Sequence, residues 1–258
     1  VGGVLPGVIL AVLFCLTISI TARIKPEYIP KPEPLTDYEK ANFWKIVLKP
    51  WAMLLLIAIS LGGIWLGIFT PTEAGGVGAF GGFLIVLLKG KFQWKTMKET
   101  VLSAASTSGS VLILLIAASC YSKTLSMAGV INLFSDAIMG LSASPIVIIL
   151  LFMLVLLLLG CILDSTSILL LTIPLMVPII KNFGYDPVWF GIVMIIAVEC
   201  GLLTPPFGMN VFTVKASISD MPEAKGITVE EIFSGSMPYF LAMIGLLLLI
   251  IFIPQLVL

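Results

Sequence analysis

The chain has 258 residues, 59% of them hydrophobic and 11% charged, where an average soluble domain carries roughly 25% charged residues. Its mean hydropathy is +1.17. Fourteen basic and fourteen acidic residues cancel, so no electrostatic case exists for nucleic acid, and the absence of histidine removes the commonest general base and metal ligand. Apolar runs such as 146–163 and 237–258 approach or exceed the roughly 18 residues of a bilayer span. They are too continuous for the alternating strands of a membrane barrel, so the expected class is an all-α polytopic membrane protein.

From the N-terminus, the first element is VGGVLPGVILAVLFCLTISITARI, apolar from its first residue. No basic n-region precedes it, so the expectation is a fragment, or one half of a longer membrane protein, rather than a signal peptide. A Pro-rich connection follows with Arg23, Lys25, Lys31, Lys40, Lys45 and Lys49, and Lys89, Lys91, Lys95 and Lys98 mark a second. The positive-inside rule puts both in the cytoplasm. Within the first, 41–49 sets Phe43, Trp44, Ile46 and Val47 among lysines, the pattern of a helix lying on the membrane surface.

Residues 51–88 must leave and re-enter the cytoplasmic side, which predicts two helical arms around a break at 70–73. A Ser- and Gly-containing span at 101–121 suits close helix contact, and 126–141, carrying Asp136, reads as a shorter amphipathic segment. The final span is expected at 237–258, after a polar connection. Cys15, Cys120, Cys161 and Cys200 lie singly in apolar runs, without a CxxC pair, and read as small buried hydrophobes.

Three polar interruptions remain. The first is GCILDSTSILLLTIPLMVP, 160–178, whose apolar arms run roughly 13 to 18 residues, the second being short for a full crossing. Asp164, Ser165, Thr166 and Ser167 gather oxygens at the join, which predicts a re-entrant hairpin. Non-helical backbone at membrane depth is tolerated only inside protein or beside an aqueous cavity. The helix starting near Ser167 would offer free N–H groups to an anionic substrate. The alternative is an extracellular loop with Asp164 as an N-cap.

The second interruption is ECGLLTPPFGMN, 199–210. Pro205 and Pro206 remove two amide donors, so carbonyls of the preceding turn, among them Gly201, lose their helical partners. Those oxygens, with the Thr204 carbonyl and hydroxyl, are the ligands a hard cation wants, and discontinuous transporter helices bind sodium this way. The alternative is a proline kink made for packing. The third interruption is GIFTPTEAGG, 67–76, where Thr70, Thr72 and Glu73 act either as a gate or as a capping box on the next helix. Glu73, Asp164 and Glu199, with Asp136 on the amphipathic segment, are the ionisable groups expected at membrane depth, which marks them as functional candidates.

The succession LGIFTPTEAGGVGAF, GCILDSTSILLLTIPLMVPII, FGYDPVWFGIVM, ECGLLTPPFGMNVF resembles the second half of the large membrane subunit of TRAP transporters, over about 1–258. The resemblance implies an elevator-type ion-transporter-superfamily fold with a re-entrant hairpin, a discontinuous helix and scaffold helices, that is, one inverted repeat. It implies scaffold helices over 1–100, a transport unit over 101–218 (hairpin about 145–180, broken helix about 188–215), and a connection with the last span over 219–258. Gly160, Gly201, Thr204 and Phe207 would hold a sodium ion, mainly through backbone carbonyls. Asp164, Ser165, Thr166, Ser167, Pro205, Pro206 and Asn210 would face the organic anion, and Glu199 would be a gate or structural polar residue.

The implied function is sodium-coupled uptake of a small organic acid, such as a C4-dicarboxylate or sialic acid, across the bacterial inner membrane. No organic cofactor is implied, only sodium as coupling ion. Implied partners are a periplasmic substrate-binding protein, a small four-helix membrane subunit and the first half of the same subunit. No GxxxxGK[ST] motif occurs, in keeping with ion coupling rather than ATP. Alternatives are a single-component sodium/carboxylate symporter, a channel or structural module, and an intramembrane aspartyl protease pairing Asp164 with Asp186.

Overall fold

The computed structural model describes residues 2–24, 50–140, 143–205, 208–218 and 226–257. The surface helix expected at 41–49 lies outside them. Among the described residues the regular structure is ten α-helices and one 3₁₀ turn. Five helices are long and apolar enough to cross a membrane: Val4–Ile24, Pro71–Leu88, Trp94–Met127, Ser165–Asn182 and Val229–Phe252. The chain is thus an all-helical, multi-pass membrane protein, as composition demanded.

The chain divides into two compact units, one drawn from Ile29–Gly109 and the other from Gly2–Tyr28 with Ser110–Leu258. In the first, α2 (Trp51–Trp65) packs along α3 (Pro71–Leu88). The predicted break falls between them. Thr70 caps α3: its N–H donates to Glu73 Oε2 at 2.8 Å, and the Glu73 N–H donates to Thr70 Oγ1 at 3.3 Å. That reciprocal pair satisfies orphan donors of the first turn, with Pro71 at the position where no donor is needed. At the other end of the pair, Lys89 Nζ sits 5.7 Å from the centre of the Trp51 ring, a cation–π contact. Helix α4 (Trp94–Met127) crosses the boundary of the two units. The sequence suggested a connection up to Thr100 and a span from 101, but no Gly or Pro interrupts 94–108, so the helix starts early.

In the second unit α1 (Val4–Ile24) packs on α10 (Val229–Phe252), and amphipathic α5 (Val130–Met139) packs on α7 (Ser165–Asn182). The centre is α8 (Pro187–Leu202). Helices α6 (Pro145–Gly160), α7 and α10 surround it, and α9 (Met209–Ile218) also touches it. Its Trp189, Phe190, Val193, Met194, Ala197, Val198 and Cys200 are all buried. A helix apolar all round belongs inside a bundle, and Asp186 caps its start: the carboxylate accepts from the Val188 and Trp189 N–H groups at 2.7 and 3.0 Å.

Helix α10 begins at Val229 rather than at 237. A second capping box explains the difference: the Thr228 N–H donates to Glu231 Oε2 at 2.8 Å, and the Glu231 N–H to Thr228 Oγ1 at 3.2 Å. Its end carries a cost that α8 offsets. Pro254 has no N–H to give the Ile250 carbonyl, and the buried Trp189 indole Nε1–H donates to that oxygen instead at 3.0 Å. The Tyr185 ring stacks on Trp189 at 5.0 Å. Substituting Trp189→Phe keeps most of the ring volume and leaves the carbonyl orphaned. The expected loss is about 1–3 kcal/mol of stability, read as a lowered melting temperature in detergent; an unchanged midpoint would show that the bond contributes nothing net.

Candidate functional site

The two interruptions of the second unit meet. Helix α6, of 16 residues, ends at Gly160, and α7, of 18 residues, begins at Ser165. The first arm is the shorter, the reverse of the sequence expectation, because α7 takes Ser165–Ser167 into its first turn and carries Pro174 and Pro178 inside it. Between the arms, 161–164 form the tip. Asp164 is the N-cap: the Ser167 N–H donates to Oδ2 at 3.0 Å and the Ser167 hydroxyl to Oδ1 at 2.6 Å. Thr166 stands exposed in the same first turn.

The break follows α8. Pro205 cannot donate to the Gly201 carbonyl, but that oxygen is not orphaned: the Thr204 N–H donates to it at 2.9 Å. The Cys200 carbonyl accepts from the Leu203 N–H at 3.2 Å and from the Thr204 hydroxyl at 2.8 Å. The helix therefore closes with a tight 3₁₀-type turn, in which each accepting carbonyl engaged once keeps a second lone pair. Gly208, at φ +34°, lets the chain turn into α9, and a methyl there would meet the Phe233 ring at 2.6 Å. Phe212 packs edge-on against Phe233 at 6.4 Å, and Lys215 Nζ donates to the Ile227 carbonyl. The helix beyond the break is thus held on the start of α10.

Three contacts bind tip to break. The backbones of α6 and α8 touch at Gly160 and Gly201. A methyl on Gly160 would lie 2.7 Å from the Val198 carbonyl oxygen and 2.8 Å from Gly201 Cα; one on Gly201 would lie 2.5 Å from the Leu157 oxygen and 2.7 Å from Gly160 Cα. Ser165 Oγ donates to Glu199 Oε1 at 2.9 Å. The buried Cys161 thiol lies 3.4 Å from the Leu157 carbonyl oxygen and 3.8 Å from that of Pro205. Open grooves flank the junction, one of about 500 Å³ lined by Pro205, Phe212, Val229, Glu230 and Phe233, another of about 520 Å³ lined by Ile162, Met209, Phe212, Thr213 and Ala216.

Of the residues singled out from sequence, Gly160, Asp164, Ser165, Thr166, Ser167, Glu199, Gly201, Thr204 and Pro205 gather at this junction. Asn210 is exposed in the first turn of α9. Pro206 and Phe207 lie outside the described residues. Thr70 and Glu73 form the capping box of α3, with Thr72 exposed in its first turn, in the other unit. Sequence reasoning took Cys161 as a plain hydrophobe and missed its reach to Pro205. Asp186 caps α8 while Asp164 caps α7, so the 18 residues of α7 separate them, about 27 Å at 1.5 Å per residue. Two carboxylates so placed cannot share a proton. Among the described residues no three of His, Cys, Asp and Glu cluster as metal ligands. A cation at the junction would rest on backbone and hydroxyl oxygens.

The sequence profile of the family described as "Tripartite ATP-independent periplasmic transporter, DctM component" matches residues 1–256. The chain is 30% identical over 258 residues to the 2,3-diketo-L-gulonate TRAP transporter large permease protein YiaN of Escherichia coli, covering 99% of this chain and 57% of that protein. It is 28% identical to the C4-dicarboxylate TRAP transporter large permease protein DctM of Pseudomonas aeruginosa, covering 98% and 57%. It is 28% identical to the sialic acid TRAP transporter permease protein SiaT of Haemophilus influenzae, covering 100% and 40%. The chain therefore spans a little over half the length of the first two relatives.

The glycine crossing is open to test. Gly160→Ala or Gly201→Ala places a methyl inside van der Waals contact with opposing backbone, which cannot swing away as a side chain tip can. The expected destabilisation is about 1–3 kcal/mol, seen as a lowered melting temperature. Gly191→Ala, on α8 with Gly201, has open space around it and is the control, expected neutral or stabilising by up to about 1 kcal/mol. Equal behaviour of the three variants would refute the close approach.

Proposed function

The chain belongs to the DctM component family of tripartite ATP-independent periplasmic transporters, and on that premise we propose that it carries one half-site of a sodium-coupled carrier for small organic acids. The observation that supports this reading most is the meeting of a capped helical hairpin with a proline-broken helix, joined backbone to backbone at Gly160 and Gly201. Two interrupted apolar segments brought together are the arrangement from which transporters build midplane sites.

The donor set suits a hard monovalent cation. Gly160, Gly201 and Thr204 contribute carbonyl oxygens and one hydroxyl, without thiolate or imidazole, and Phe207 would add its carbonyl. The close crossing leaves no room for a side chain between them, so the oxygens are fixed by two helices rather than by mobile side chains. An anion would meet the N–H groups in the first turn of α7 that Asp164 does not engage, where the helix dipole favours negative charge. Thr166, Asn210, Pro205 and Pro206 would then contact it, while Ser167, whose N–H and hydroxyl both go to Asp164, holds the cap that shapes this turn. The hairpin and broken helix would travel together between the two membrane faces in an elevator motion.

The relatives' names span 2,3-diketo-L-gulonate, C4-dicarboxylates and sialic acid. All three are carboxylates at neutral pH, so the proposed substrate class is a small organic acid. The proposed setting is the bacterial inner membrane, with a periplasmic binding protein and a small membrane subunit as partners. The matching half-site is assigned to the part of the family's length that this chain does not span.

Uptake into proteoliposomes is the direct test, with the full-length subunit, its small partner and the binding protein present. Flux is expected only with an inward sodium gradient, and flux indifferent to sodium would overturn the coupling. Thr166→Ala and Asn210→Ala are each expected to raise the substrate KM about tenfold or more, the cost of one hydrogen bond to a charged group. Unchanged KM values in both would remove these residues from the anion site.

A further inference from the structure

The Ser165–Glu199 bond raises a question that the transport reading leaves open. Glu199 sits in the last turn of α8, where no basic residue accompanies it. The side chain lies at the negative end of the helix dipole, where a cation rather than an anion is the favoured neighbour. The same turn carries the Gly201 carbonyl, which accepts once, and the Thr204 hydroxyl, which donates to the Cys200 carbonyl and keeps its own lone pairs. Among the described residues no Lys or Arg pairs with Glu199; the partner it has is the Ser165 hydroxyl at 2.9 Å. A neutral hydroxyl orients a carboxylate but does not cancel its charge.

Resting on the cation reading above, we propose that Glu199 supplies the countercharge for the coupling cation, acting on it through space rather than as a ligand, with Ser165 holding the carboxylate in place. This makes Glu199 a positioning residue and takes Ser165 out of the anion-contacting set, because its proton is already committed across the hairpin. Two roles follow from one bond. The hydroxyl ties the tip of α7 to α8, and the carboxylate makes the junction more negative than its carbonyls alone would. An empty junction then repels an incoming organic anion, and a filled one does not. Cation and anion become linked without touching the same atoms, which is the reciprocal coupling any symporter needs.

Two substitutions separate charge from hydrogen bond. Glu199→Gln keeps an oxygen to accept from Ser165 and removes the charge. Ser165→Ala keeps the charge and removes the bond. The measurement is thermal stabilisation of the full-length subunit, assembled with its small partner, as sodium chloride is titrated against a choline chloride control without substrate. Glu199→Gln is expected to raise the half-saturating sodium concentration roughly tenfold or more, the effect of one unit charge at an effective dielectric of about 20, while the sodium-free melting temperature holds or rises. Ser165→Ala is expected to lower the sodium-free melting temperature and to shift half-saturation by no more than about threefold, the size of a lost neutral bond.

A wild-type protein indifferent to sodium would overturn the cation site and this role together. A wild type that responds, with Glu199→Gln titrating like it, would overturn only the countercharge. Loss of sodium response in Ser165→Ala equal to that in Glu199→Gln would likewise reject it, leaving a purely structural bond.

Discussion

The crossing of Gly160 and Gly201 is the contact on which the rest of the second unit depends. Two helices normally stand 8–10 Å apart because side chains separate them. Here each backbone approaches the other so closely that a single methyl would strike it. That proximity aligns the end of α6 with the end of α8, and it places the tip of the hairpin over the proline break. Ser165 then lies within reach of Glu199, and Cys161 within reach of Pro205. Moving either helix outward by the width of a side chain would undo both contacts at once.

Backbone accounting explains how the proline breaks keep their carbonyls paired. Prolines at 205 and 254 each deprive a helix carbonyl of its usual donor. The two vacancies are filled differently: the Thr204 N–H steps back one residue to serve Gly201, and the Trp189 indole crosses from another helix to serve Ile250. The first solution is local and leaves a lone pair on the Gly201 carbonyl beside a grooved surface. The second is buried and complete. One helix, α8, thus ends in a turn whose Gly201 carbonyl keeps a lone pair and starts beside the buried Trp189 with Tyr185 stacked on it.

Much of this was legible along the chain. The helix ends on either side of 161–164, the end of α8 before Pro205, the paired arms around Thr70 and the amphipathic helix before residue 140 follow from Pro, Gly and polar residues interrupting apolar runs, since each interruption has a local backbone cause. The helix ends were less legible. Helix α4 starts within a lysine-rich stretch because charged residues with good helix propensity do not end a helix, and α10 begins among glutamates because Thr228 and Glu231 cap it. Charge marks neither boundary: propensity carries α4 through the lysines, and the capping bonds start α10.

Composition and spacing by themselves determined the class, the number of interruptions and their residue types, because lipid permits only helices whose breaks are sheltered. They also drew attention to Glu199 without giving it a partner. Only the tertiary structure decided that the carboxylate meets Ser165 across 34 positions of sequence, that Asp164 and Asp186 cap separate helices, and that the glycines of two different segments face each other. Local rules reach about one helical turn along the chain. Which turns of two helices come into register is set by the packing of whole surfaces, and α8, buried on nearly every side, is where that packing converges.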